Sequence, residues 1–284
     1  MIKIIETPRD AMQGIAEFIP TKKKIEYINS LFKIGFSIID IGSFVSPKAI
    51  PQLADTEEVL HSLDKSDSTT KTMVTIGNLR GAQKAMEFDT IDFVAYPYSV
   101  SDTFLKLNIN TSKQKAIESI ENIVELCDKF GKELILYNAM AFGNAYGDEW
   151  NLEIIYKNTL ELKKLGVKCV VLSDTIALAN KSLIEATFDA VISDFPNIEF
   201  GAHLHTSEQN WRENVQAAWD SGCRRFDAVI NGRGGCPMSK HVMVGNLPTT
   251  NLISFLNEIG QQPLLDMAAF SQSLTLANGI FPEA

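Results

Sequence analysis

Residues 111–139 read "TSKQKAIESIENIVELCDKFGKELILYNA". Ile117, Ile120, Val124 and Cys127 recur at three- and four-residue spacing, the apolar stripe of an amphipathic helix. Gly131 supplies the stop, because glycine enters the left-handed cap without steric cost. "LILYNA" (134–139) follows at once as a short β-rich apolar run. A helix over 112–130 therefore feeds directly into a strand. The same alternation extends in both directions. Strands are expected at 2–6, 37–41, 72–76, 91–96, 134–139, 169–174, 199–205 and 226–230. Helices are expected near 21–34, 52–63, 78–87, 112–130, 151–165, 180–194, 208–221 and 249–260. Apolar strands alternating with helices imply a parallel sheet covered by helices. Eight repeats of about 30 residues favour a closed (β/α)8 TIM barrel over an open doubly wound sheet. No linker or low-complexity tract divides the chain, so one catalytic barrel domain over 1–284 is expected. Its tail, 264–284, reads as one more helix, packing on the barrel or on a partner subunit in a homodimer.

Bulk properties narrow the function. The chain has 284 residues, 45% hydrophobic and 21% charged, with a formal net charge of -9. An acidic chain without a basic tract is a poor nucleic-acid or anionic-membrane binder. No apolar run is long enough to span a bilayer. "MIKIIETPRD" has no signal-peptide pattern. Cys127, Cys169, Cys223 and Cys236 form no CxxC pair. Reduced thiols in the cytoplasm are expected.

In such barrels chemistry sits at the C-terminal ends of the strands. Arg9, Asp10 and Gln13 follow strand 1, Asp40 lies in strand 2, and Asp174 and Thr175 end strand 6. His203 and His205 end strand 7; two apart on a strand, their rings point the same way. Converging neutral imidazoles make half a metal site, the alternative being a hydrogen-bonded core pair. Asp10 is the natural third ligand, unless it only pairs with Arg9; a turn beginning at Pro8 would re-aim both. Asn246 is either a fourth, amide-oxygen ligand or a turn or cap residue. A mixed N/O set suits Mg2+ or Mn2+ better than structural zinc. Asp40 is either paired inside the barrel or part of the site. Asp174 and Thr175 either orient a ligand histidine or cap the next helix. "NGRGGCPMSKHVMVGN" (231–246) places Cys236 in a glycine-rich loop after strand 8.

"PRDAMQ" (8–13), "SFVSPKAIPQLAD" (43–55), "SDTI" (173–176), "HLH" (203–205) and "GRGGCP…GNL" (232–247) together resemble the 3-hydroxy-3-methylglutaryl-CoA lyase family of metal-dependent (β/α)8 lyases. The resemblance runs nearly end to end. It implies a carbon–carbon lyase that cleaves a hydroxyacyl-CoA to acetyl-CoA and acetoacetate with a divalent metal. It implies Asp10, His203, His205 and Asn246 as metal ligands, and Arg9, Asp10, Asp40, His203 and Cys236 as catalytic groups. Arg9, Gln13, Ser43, Lys48, Asp174 and Thr175 would face the acyl-CoA substrate. Cys236 would be a thiol donor on a closing loop. The chain departs from the family pattern at Asp40 (usually Glu), Met12 (commonly Leu) and Thr250-Asn251 (usually Glu-Asp). "TSEQN" after the histidines also departs, as does Ile135, near which an arginine is expected. These departures bear on the substrate more than on the reaction type. A related aldolase or Claisen-type synthase, or a barrel kept only for binding, are the alternatives.

Overall fold

Parallel strands hydrogen-bond in chain order and the eighth returns to the first, closing a barrel. They are β1 (Lys3–Glu6), β2 (Ile38–Phe44), β3 (Lys71–Ile76), β4 (Phe93–Ser99), β5 (Glu133–Ala139), β6 (Cys169–Asp174), β7 (Glu199–Leu204) and β8 (Arg225–Ala228). The computed structural model describes residues 2–235 and 244–281. Closure is explicit in the register, where Ile5 lies opposite Asp227 of β8 and Ile38 of β2.

The helices are α1 (Pro8–Gln13), α2 (Thr21–Leu31), α3 (Thr56–His61), α4 (Leu79–Ala85), α5 (Asp102–Ile109) and α6 (Lys113–Phe130). After them come α7 (Leu152–Lys164), α8 (Lys181–Asp189), α9 (Trp211–Asp220), α10 (Thr249–Glu258) and α11 (Met267–Ile280). α6 shows how the sequence builds them. The Ser112 hydroxyl caps its first turn by accepting from the Lys115 N–H, and Gly131 ends it at φ 65°. The buried stripe is Ala116, Ile120, Ile123 and Cys127; Ile117 and Val124 sit on its flanks. The stripe is thus rotated slightly from the one the spacing predicts.

Two apolar layers result. A large core fills the space between strands and helices. A small inner cluster, including Ile5, Met73, Ile135, Cys169 and Val171, plugs the barrel itself. Period-2 alternation explains the split, since Leu134 and Leu136 of β5 face the helices while Ile135 and Tyr137 face inward. Several inward residues break the apolar pattern, among them Asp40, Asp227 and Arg225. Arg225 of β8 is 1% exposed and lies across Gly201 of β7, where an added Cβ would come 2.8 Å from its Cδ.

Two elements differ from expectation, and the expected C-terminal helix is present. The turn at Pro8 is the helix α1, because proline at its first position is already set to a helical φ. α5 was unexpected; it is short and is started by the Ser101 side chain accepting from the Phe104 N–H. The last helix covers Met267–Ile280 and packs on α2 through the Ser30–Ser273 hydroxyl pair and an edge contact of Phe281 on Tyr27. Among the described residues no helix is long and apolar enough to cross a membrane.

Candidate active site

A cavity of about 230 Å3 opens at the C-terminal mouth of the barrel, lined by Arg9, Gln13, Tyr137, Thr175, His203 and His205 among others. α1 brings the first group together. Gln13 stands four residues after Arg9 and three after Asp10, spacings at which helical side chains meet. Arg9 Nη1 donates to Asp10 Oδ1 at 3.0 Å and to Gln13 Oε1 at 2.9 Å, while Nε donates to Asp40 Oδ2 at 2.8 Å. Nη2 lies 2.8 Å from the same Asp40 oxygen. Gln13 Nε2 donates to Asp10 Oδ1 at 2.6 Å.

Asp40 is fully buried inside the barrel, and its Oδ1 has no hydrogen-bond partner among the described residues. Burial pushes its carboxyl up to about 6 against the pull of Arg9. Burial acts on Asp10 in the same direction. There, however, Arg9, the two histidines and the Asn246 bond outweigh it and hold the carboxyl below its ordinary range.

The two imidazoles converge as their spacing predicts, with ring centroids 5.3 Å apart. Each has Nδ1 beside an acceptor: Asp227 Oδ2 at 3.2 Å for His203, and the Val244 carbonyl at 2.9 Å for His205. A proton fixed on Nδ1 leaves Nε2 as the lone-pair nitrogen. His203 Nε2 is 3.9 Å from Asp10 Oδ2. Burial and the neighbouring His203 push His205 down to about 4, so its ring is neutral at pH 7. Burial also opposes charge on His203, but the bond to Asp227 prevails and lifts its pKa.

Asn246 completes the group. Residues 244–249 lie along the ends of β7 and β8, with His205 and Asn246 forming an antiparallel bridge. The Asn246 side chain is buried, and Nδ2 donates to Asp10 Oδ2 and to the Arg233 carbonyl, both at 2.8 Å. The backbone comes this close only because Gly234 has no Cβ; one there would meet Asp10 O at 2.7 Å and Asn246 Nδ2 at 2.8 Å. Among the described residues, no three His, Cys, Asp or Glu side chains are drawn close enough to enclose a metal ion in this arrangement. The donor chemistry nonetheless fits one. Two imidazoles with Nδ1 tied down and a buried carboxylate face one another, and an amide lies against that carboxylate.

The chain matches the HMGL-like family model over residues 1–276. It belongs to the HMGL-like family. A cytoplasmic 3-hydroxy-3-methylglutaryl-CoA lyase of Rattus norvegicus is 28% identical over 94% of this chain and 77% of its own length. An HMG-CoA lyase of Acinetobacter baumannii, solved with coenzyme A and 3-methylmalate, superposes with TM-score 0.90 at 31% identity, covering 99% of this chain and 91% of that one. The Brucella melitensis HMG-CoA lyase gives TM-score 0.91 at 28% identity, covering 99% of both chains.

Other residues named from this HMGL-like sequence fall in different places. Thr175 lines the cavity, and its hydroxyl accepts the Met140 N–H at 3.0 Å. Asp174 accepts from Leu178 N at 2.9 Å and from Ala179 N at 3.1 Å, so it ties the loop before α8, whose cap is Asn180. Burial raises Asp174 to about 6, partly offset by those amides. The Ser43 hydroxyl donates to the Thr75 carbonyl at 3.0 Å and lines a separate cleft with Arg80 and Lys84. Lys48 is exposed, and Thr250 faces solvent on α10. Cys236 lies outside the described residues. Three inward residues escaped sequence reasoning: Asp227, Tyr137 and Arg225. A single acid in the apolar run "FDAVI" was the available signal, of the same kind that marked Asp40. Ile135, near which the resemblance leads one to expect an arginine, packs in the inner apolar cluster, and the buried Arg225 enters from β8.

Proposed function

We propose that this chain is a divalent-metal-dependent carbon–carbon lyase. It cleaves a 3-hydroxy-3-methylglutaryl-CoA-like hydroxyacyl thioester to acetyl-CoA and acetoacetate. The observation that carries the reading is the pair of imidazoles with anchored Nδ1 atoms facing the Asp10 carboxylate. Support comes also from the HMG-CoA lyases among its relatives and from the coenzyme A complex of the Acinetobacter protein.

Asp10, His203 and His205 would hold the cation, with Asn246 turning its amide oxygen inward. The N/O donor set suits Mg2+ or Mn2+. When bound, such a cation acts as a Lewis acid and makes a bound hydroxyl easier to deprotonate. The protein's own groups do the rest. Arg9 is fixed by Asp40, Asp10 and Gln13, so its charge is preorganised for the negative charge that develops on the substrate oxygen. Asp10 or His203 takes the hydroxyl proton, and the carbon–carbon bond then breaks to give the ketone and the thioester enolate. Cys236, which lies outside the described residues, is the thiol assigned to return a proton to that enolate. Gln13 and Thr175 line the cavity that would take the acyl group. A cytoplasmic setting belongs to the same reading, supported by the free thiols Cys127, Cys169 and Cys223.

The test is acetyl-CoA release from 3-hydroxy-3-methylglutaryl-CoA with added Mg2+ or Mn2+, beside pyruvate release from hydroxy-keto acids. The His203→Ala/His205→Ala double variant should lose both Mn2+ binding and cleavage. Full activity in that variant, or pyruvate release alone in the parent, overturns the reading.

A further inference from the structure

Glu6 ends β1 with its side chain on the helix side of the barrel wall, fully buried. Its two oxygens reach two points far along the chain. Oε1 accepts the Ile230 N–H at 2.7 Å, and Oε2 accepts the Thr249 hydroxyl at 2.6 Å. Ile230 is where the chain turns away from β8, and Thr249 is where α10 begins. Between these points lies the segment that bears Asn246. Backbone bonds join the same ends: Val229 N–H to the Leu247 carbonyl and Thr249 N–H to the Val229 carbonyl, each at 3.0 Å.

We infer that Glu6 is a positioning residue, a clasp whose two oxygens hold both feet of the 231–248 segment on the barrel and so set the Asn246 amide against Asp10. No other carboxylate among the described residues bonds to both feet. Among the described residues Glu6 makes no hydrogen bond or ion pair to Asp10, His203, His205 or Asn246, so its effect passes through backbone. Burial pushes its carboxyl up to about 8, as expected for an acid enclosed with only two donors. A glutamine can reproduce that neutral form, its oxygen accepting from Ile230 and its amide meeting a Thr249 hydroxyl that turns to accept.

The consequence for metal binding rests on the reading of Asn246 as a ligand, and the experiment separates the two. Hydrogen exchange of peptides covering 244–249, in the full-length protein without metal, tests the clasp alone. Glu6→Ala should speed exchange there by about tenfold or more, and Glu6→Gln should restore most of the protection. Thr249→Val, which removes one arm and leaves the Ile230 bond, should give a smaller effect and covers the case in which Glu6→Ala fails to fold. Mn2+ titration of the same proteins, with Asn246→Ala beside them, tests the consequence. Weakened binding in Glu6→Ala and Asn246→Ala but not in Glu6→Gln supports the whole inference. Unchanged exchange in Glu6→Ala overturns the clasp. Unchanged Mn2+ affinity in Asn246→Ala overturns the ligand reading and leaves the exchange result standing.

Discussion

Replacing Asp227 by asparagine alters one atom of the pair with His203. The carboxylate side chain is 1% exposed, and Oδ2 lies 3.2 Å from Nδ1. As a carboxylate it can only accept, so the ring must carry its proton on Nδ1 and present a bare Nε2 toward Asp10. An asparagine amide can turn its NH2 to the ring, which favours the opposite tautomer and covers Nε2 with a proton. A hydrogen bond to a charged partner contributes roughly 1.5–3 kcal/mol. Loss of the partner that orients a ligand histidine typically costs about 10–100-fold in metal affinity or activity, or about 1.4–2.7 kcal/mol. The two scales agree, so Asp227→Asn should weaken Mn2+ binding about 10–100-fold and lower kcat/KM by a similar factor. Electron paramagnetic resonance of free Mn2+ measures the first, and acetyl-CoA release measures the second. The fold should survive, because the substitution preserves volume and leaves the barrel wall unchanged. A variant that binds Mn2+ and turns over within about threefold of the parent refutes the argument that Asp227 sets the tautomer.

Gly201→Ala places a methyl 2.8 Å from Arg225 Cδ and 3.2 Å from its Nε, in a barrel interior where that side chain is 1% exposed. Overpacking of this kind costs about 1–3 kcal/mol, read as a lower urea midpoint at unchanged slope; a midpoint equal to the parent's would show that Arg225 can move aside. Glu6 gives a pH dependence. Its folded pKa of about 8 lies above the ordinary 4.5, so its contribution is complete below about 4.5 and is lost as pH rises through 8. The parent's stability relative to Glu6→Gln, which has no proton to lose, should therefore fall by about 1.4 kcal/mol per pH unit across that window. Tyr27 of α2, whose own pKa is raised by burial and by Glu6, faces the same carboxyl and titrates above the window. A flat difference between the two proteins from pH 5 to 8 would sink the claim.

The alternation of strands and helices was legible because each half of a βα unit has its own period. His203 and His205 were legible for the same reason, since spacing alone places their rings together. What a lone residue does once inside the barrel was not. Asp227 and Arg225 sit in "RRFDAVI" with nothing nearby to announce their partners, His203 and Glu199, which both come from β7. Arg9 and Asp10 could be assigned to the rim, but only the helix α1 puts Gln13 beside both. Ser43 was carried by a motif, and its hydroxyl is engaged by the neighbouring strand, which no local pattern reveals. Asn246 reads as a turn residue in sequence; its place beside Asp10 depends on glycines that permit close backbone approach, a distance the sequence does not contain.

The group around Asp10 straddles the seam where β1 meets β8. Asp10 follows the first strand, whereas His203, His205 and Asn246 come from the last third of the chain. During synthesis from the N-terminus the carboxylate exists long before any nitrogen it will face. A partial ring of six strands would bury much of the same apolar surface, yet it would lack the histidines. If this group holds the proposed cation, its capture would be tied to the final step of ring formation and would add its binding free energy to that step alone. In the cell, metal supply would act as a late checkpoint on completed barrels, with no hold on nascent chains.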